Sequence, residues 1–242
     1  MFSMKYLIVL TLIICSLGSI AQVQKDDLKK INQAYLKTSF TSDVTYSVYK
    51  NGTDLTPLQT EKGYYKLNGK ELKTCMQLGS IFLINTPDFS LTMNSENKNI
   101  YFTRTRTNKT DKQDSGSEIA KMVLEMVDTL LKYNKGVQYK EFSKGIGEIT
   151  FYPSYGEHEK IRIRYNRSTF LITELEFFYK NMQDLTGDSG KKGKPRLKIT
   201  YSNFIVNPAF TSDEFAYTRF ISEKDGKYML KSAYSGYKLT CN

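Results

Sequence analysis

Glu174 and Glu176 stand two residues apart in the apolar run Thr169–Tyr179, a spacing that projects two carboxylates from one face of a strand. Paired carboxylates are sufficient in type for hydrolysis by general acid and base. The same spacing equally describes a salt-bridged strand surface, and both readings stay open. His158 is the sole histidine and sits in the turn-like neighbourhood of Pro153–Glu157. A Ser-His-Asp triad would have to use it, yet no Gly-x-Ser-x-Gly elbow accompanies any serine. A zinc site would need more ligands than His158, Cys75 and Cys241 supply. Gly187–Lys194 has the look of a phosphate loop, but Gly193 comes one residue late and Pro195 stands where Ser or Thr is required. That stretch reads as a hairpin loop. No catalytic residue, metal or cofactor is expected.

The first 21 residues place the chain outside the cytoplasm. Lys5 forms a positive n-region, Tyr6–Leu17 an apolar h-region, and Ser19-Ile20-Ala21 a small-x-small cleavage site. The span is too short for a membrane helix of about 20 residues. An outer-membrane lipoprotein lipidated at Cys15 is the other reading, with Ile14 standing where a small residue is wanted before that cysteine. A cleaved signal peptide over 1–21 and a single mature domain over 22–242 are therefore expected, in the bacterial periplasm or secreted.

Cleavage leaves 221 residues with a formal charge of +9. In that compartment the basic balance points to anionic lipid headgroups or envelope polymers, or to solubility alone, since lysines are spread through nearly every segment. The absence of Trp and of a basic-aromatic ribonucleoprotein motif argues against nucleic acid. Cys75 and Cys241 are the two remaining cysteines and form a disulfide candidate. The loop closed would be worth about 5 kcal/mol in the chain-entropy model. Two buried thiols are the other reading.

Hydrophobic periodicity organises the rest. Leu28, Ile31 and Tyr35 mark one face of a helix over Gln24–Tyr35. The period then becomes two, with Val44, Tyr46 and Val48 alternating with polar residues. Strands follow at Glu61–Leu67, Glu71–Gln77, Ser80–Asn85, Phe89–Met93 and Asn99–Thr105, joined by short turns that favour antiparallel neighbours. A polar run, Thr107–Gly116, leads into a helix over Ser117–Tyr133. Its apolar stripe includes Met122 and Met126, adaptable thioethers suited to a variable ligand. Whether that helix roofs a trough or plugs a packed core stays open.

A second set of strands is expected at Val137–Phe142, Gly147–Tyr152, Lys160–Tyr165, Thr169–Tyr179 and Arg196–Phe204, with a last one over Tyr228–Thr240. In Lys160–Tyr165 the isoleucines and Tyr165 alternate with Lys160, Arg162 and Arg164, the pattern of a sheet with one wet side. The fold expected is mainly β: a curved antiparallel sheet or unclosed β-barrel with helices over its concave face.

Lys62-Gly63-Tyr64-Tyr65-Lys66-Leu67-Asn68-Gly69-Lys70 and, near the end, Tyr201-Ser202-Asn203-Phe204 through Asn207-Pro208-Ala209-Phe210 to Phe215 carry a resemblance. With the order helix, strands, apolar helix, strands, the chain resembles the periplasmic lipoprotein carrier (LolA-like) family over most of its mature length. The resemblance implies a half-pipe barrel whose apolar concave side accepts acyl chains, and a non-enzymatic carrier of lipid or lipoprotein. Its partners would be lipid or lipoprotein acyl chains and envelope membrane proteins. Each methylene buried yields about 0.8 kcal/mol, so one tail suffices for useful affinity. Lining candidates are Tyr46, Val48, Tyr64, Phe82, Phe102, Met122, Met126, Phe170 and Phe178, with basic residues at the mouth for an anionic headgroup. The alternative is an envelope structural or interaction protein with a packed core and no ligand.

Overall fold

A computed structural model describes residues 26–105, 134–184 and 192–241. The leader over 1–21 with Cys15, the run Thr107–Gly116, and the Ser117–Tyr133 helix with Met122 and Met126 lie outside the described residues.

The first element is a helix, α1, over residues 26–37. It is followed by β1 (Ser39–Tyr49), β2 (Gln59–Asn68), β3 (Lys73–Leu78), β4 (Ile81–Asn85), β5 (Phe89–Asn94) and β6 (Asn99–Arg104). Next come β7 (Asn134–Ser143), β8 (Ile146–Pro153), β9 (His158–Asn166) and β10 (Ile172–Tyr179). The two-residue pair β11 (Gln183–Asp184) and β12 (Lys192–Gly193) precedes β13 (Arg196–Val206). A hairpin of β14 (Ile221–Lys224) and β15 (Lys227–Leu230), then β16 (Lys238–Cys241), complete the chain.

Twelve strands form one sheet in the order β16-β6-β5-β4-β3-β2-β1-β13-β10-β9-β8-β7. Every neighbour is antiparallel except β16, which runs parallel to β6. The chain thus meanders outward from β1 to β6, restarts at the far edge with β7, and returns through β10 and β13 to pair with β1. Among the described residues β7 and β16 do not pair with each other, so the sheet is large, mixed and unclosed.

Register sorts the side chains onto two faces, because directly opposed antiparallel residues point the same way. One face carries α1. Leu28 and Ile31, both buried, pack with Tyr35 on Ile149, Phe151 and Tyr165. The Tyr165 hydroxyl donates to Asp27 Oδ2 at 2.5 Å, tying the helix to the sheet. Gly147 makes that ring position possible, since a Cβ there would stand 2.4 Å from Tyr165 Cζ.

The opposite face of β3–β6 is covered by the C-terminal segment. Phe215, Phe220 and Ile221 join Cys75, Phe82, Ile84, Phe89, Leu91, Ile100 and Phe102 in one buried cluster. The Lys66–Glu214 ion pair, 2.5 Å, fastens the segment to β2.

Three expectations are corrected. Cys75 and Cys241 are free thiols, one buried and one exposed. Between β3 and β16 lie four strand spacings, about 19 Å, where a disulfide requires Cα atoms within about 7 Å. The strand expected from Thr169 starts at Ile172, because Phe170 adopts a left-handed φ of 57° in a turn closed by its N–H on the Asn166 carbonyl, 2.7 Å. The single strand expected over Tyr228–Thr240 is instead β15, a 3-10 turn at Ser232–Tyr234, and β16.

Candidate functional site

The α1 face is apolar well beyond the area that α1 covers. Tyr46 and Val48 on β1 oppose Ile199 and Leu197 on β13. These in turn oppose Leu175 and Phe177 on β10. Ile163 and Ile161 on β9 continue the rows. On the other side of β1 the same face holds Tyr65 of β2, Met76 and Leu78 of β3, and Leu83 and Ile81 of β4.

Tyr46, Val48, Leu175, Phe177, Leu197 and Ile199 are all half-buried, and none belongs to the three buried clusters among the described residues. They form a continuous apolar floor beside α1. At its α1 end Phe40 is fully buried among Tyr35, Tyr65 and Phe204. Tyr65 and Tyr201 meet edge to face at 6.2 Å. Burial, with the neighbouring tyrosines adding to it, pushes the Tyr35 and Tyr65 phenols well above their ordinary range, and burial alone raises Tyr201. All three therefore stay protonated donors at neutral pH.

The opposite face of β7–β10 and β13 is ionic. Glu148 accepts from Arg164 Nε at 2.7 Å and pairs with Lys140 at 3.2 Å. Glu174 pairs with Arg164 at 2.5 Å and Lys198 at 2.6 Å. Glu176 is held by Arg162 and by Arg196 at 3.2 Å. Aromatic rings sheathe the cations: Phe142 lies 3.6 Å from Arg164, Phe178 3.9 Å from Lys160, and Tyr49 4.0 Å from Arg196. A surface depression lined by Lys140, Glu148, Lys160 and Arg162 opens here. Glu174 and Glu176, the pair singled out for hydrolysis, lie outside its lining and are engaged in cross-strand ion pairs.

Burial alone would raise the Glu148 carboxyl, but hydrogen bonds from Arg164 and Lys140, with the Arg162 and Arg164 charges, hold it below its ordinary value. Glu214 is lowered in the same way, Lys66 outweighing burial. Burial lowers His158, Lys180 adds to it, and Glu157 opposes. A depressed group stabilises the fold above its unfolded pKa and loses that contribution as pH falls through its folded value. All three shifts therefore have one sign. Acidification weakens the fold, first below the ordinary histidine value of 6.5 and then below the carboxylate value of 4.5. Melting temperatures measured from pH 7 to pH 4 are expected to fall throughout, and a Glu148→Gln variant to show a shallower fall in the lower half.

The candidates from the sequence divide between the faces. Tyr46 and Val48 lie on the trough floor, and Phe170 stacks on Tyr165 beside Lys30 of α1. Tyr64, Phe82 and Phe102 project from the other face into or against the cluster under the C-terminal segment. Phe178 lies on that other face too, among cations. His158 abuts Tyr179 at 4.6 Å and Phe177 at 5.4 Å. Leu175, Phe177, Leu197, Ile199, Tyr65 and Tyr201 were not among the candidates. Their alternation in phase with Tyr46 and Val48 was the available signal, but it becomes unique only once strand pairing is known. No metal-holding group of His, Cys, Asp and Glu occurs among the described residues, and none of their helices is long and apolar enough to cross a membrane.

No protein-family model matches the chain, and no curated protein matches it. Among solved structures, an uncharacterized conserved protein from Thermus thermophilus is similar over 91% of this chain and 99% of its own, at 8% identity and a TM-score of 0.50. A putative outer membrane lipoprotein-sorting protein domain from Vibrio parahaemolyticus is similar over 79% of this chain and 96% of its own, at 9% identity and a TM-score of 0.37. A LolA superfamily protein from Nitrosomonas europaea is similar over 81% of this chain and 98% of its own, at 10% identity and a TM-score of 0.34. At these identities the likeness is one of fold.

Proposed function

We propose that this chain is a non-enzymatic binder and carrier of lipid or lipoprotein acyl chains, acting in the cell envelope after removal of residues 1–21, with 22–242 as one mature domain. The observation that carries the proposal is the continuous apolar floor of β1, β13 and β10 beside α1, half-buried and outside every buried cluster among the described residues. Apolar surface left out of the core is costly in water, and a tail laid along it returns about 25 cal/mol for each Å² covered. Tyr46 and Val48 keep their proposed lining role, joined by Leu175, Phe177, Leu197 and Ile199. Met122 and Met126 are proposed to complete the site.

Organic extraction of the purified mature protein, followed by mass spectrometry, is expected to recover acyl lipid reproducibly. The delipidated protein is expected to take up the apolar fluorophore N-phenylnaphthylamine, and Val48→Asn and Leu175→Asn to weaken uptake about tenfold each while leaving a cooperative melt, since each puts an amide on the apolar floor. A protein that is empty on extraction and takes up no fluorophore overturns the reading.

A further inference from the structure

The distribution of charge between the two faces points to the chemistry of the head that the acyl chain carries. On β1, β2, β3, β4, β9, β10 and β13, the strands flanking the trough, every lysine and arginine projects away from it. Lys62 and Lys66 alternate with Glu61, Gly63 and Tyr65 of the trough face, and Lys73 with Thr74. Lys160, Arg162 and Arg164 alternate with Ile161 and Ile163, and Arg196 and Lys198 with Leu197 and Ile199. The trough face holds acids instead. Glu61 is directly opposite Tyr46, and Glu159 falls on the face of Ile161 two residues on.

What the trough offers a ligand's polar atoms is neutral. The Ser42 Oγ, on β1 between Phe40 and Val44, is buried with no hydrogen-bond partner, and the residue is 3% exposed. It opposes Tyr65, whose ring contacts that of Tyr201. An unpartnered buried hydroxyl costs free energy that a ligand oxygen can recover. A hydroxyl and two phenols can donate to a carbonyl oxygen, whereas an ionised carboxylate in the same place would lose its water and find no lysine or arginine on this face of β1, β2 or β13.

We infer that the trough selects acyl chains whose head is uncharged, an ester or amide carbonyl, over free fatty acids with an ionised carboxylate. The inference rests on the acyl-binding reading above and deepens it. It also moves the expected role of the strand lysines and arginines: they build the opposite face and take no part in holding the head. Ser42, Tyr65 and Tyr201 are the groups that receive the carbonyl, and Glu61 repels a carboxylate at the open end of β1.

The test is displacement of N-phenylnaphthylamine from the delipidated full mature chain at pH 8 by methyl palmitate and by palmitate. Methyl palmitate is expected to displace at a concentration at least about tenfold lower, the carboxylate carrying an uncompensated desolvation cost. Glu61→Lys, which sets a cation on the trough face, is expected to bring palmitate up to methyl palmitate, with Glu61→Gln intermediate. Ser42→Ala is expected to weaken methyl palmitate by a larger factor than it weakens the fluorophore, which has no carbonyl. Palmitate binding as well as or better than the ester in the unmodified protein overturns the inference and leaves the acyl-binding reading standing. Uptake of neither compound, with no fluorophore bound, overturns that reading itself. Glu61→Lys folded but without gain for palmitate also overturns the inference.

Discussion

Replacing Glu176 with alanine is expected to lower the unfolding free energy by about 3–5 kcal/mol, the loss seen when one partner of a buried ion pair is removed. The carboxylate is 1% exposed and receives the Nε of Arg162 and the Nη1 of Arg196. Both guanidiniums are themselves mostly buried, at 21% and 14% exposure. Without the carboxylate, two like charges would face each other across β10 with only the Phe178 ring between them, 5.3 and 6.0 Å away. Arg196 would then keep no carboxylate partner among the described residues and Arg162 only Glu148 at 3.9 Å, so the loss is dominated by poorly paired cations rather than by attraction forgone. Urea unfolding monitored by tyrosine fluorescence measures it. Glu176→Leu combined with Arg162→Met, which removes both ends of one pair, is expected to recover at least about 1 kcal/mol of that loss. A single-variant loss below about 1 kcal/mol would place this pair with ordinary surface pairs and remove the structural role assigned to it.

That network was half legible beforehand. The clean alternation of Lys160–Tyr165 announced one polar and one apolar face, and β9 has both. Glu174 and Glu176 were seen to share a face, but their partners lie on β9 and β13, where only register can place them. The helix marked by Leu28, Ile31 and Tyr35, most strand positions and the mainly β class were equally readable, because each depends on periodicity within one segment. What depends on pairing between segments was not. Cys75 and Cys241 looked like an even pair, yet three strands separate β3 from β16. Turn geometry defeated local reading where a non-glycine residue takes a left-handed φ, as Phe170 does.

The aromatic lining candidates illustrate the same limit. Tyr46 and Phe82 are alike in type and in alternation, but β2–β6 bear apolar residues on both faces, and nothing local says which row meets α1. The deciding fact is the return of the C-terminal segment over one of those faces. Asn207-Pro208-Ala209-Phe210 carries part of the resemblance in the sequence, while the delivery of Phe210, Phe215, Tyr217 and Phe220 onto β3–β6 requires the fold.

Phe102→Ala is accordingly expected to act on stability, by about 3–5 kcal/mol, the range for deleting a buried phenyl ring. Phe102 is 1% exposed, with Tyr228, Tyr217 and Phe89 at ring separations of 4.7, 5.0 and 5.8 Å. Two of those three partners belong to the C-terminal segment, so the vacated space loosens the contact between that segment and β6. The variant is expected to unfold at lower urea and to be cut by trypsin after Arg219 or Lys231 at concentrations that spare the parent, because those bonds become reachable when the segment lifts. Fluorophore uptake by the molecules that remain folded should match the parent, since Leu175, Leu197 and Ile199 lie on the other face of the sheet. The contrast with Leu175→Asn, which loses uptake and keeps most of its stability, separates the two faces in one experiment. Uptake lost in Phe102→Ala at a urea concentration where the chain is still folded would put Phe102 in the ligand's path and require the segment over β3–β6, rather than the floor beside α1, to be where the acyl chain lies.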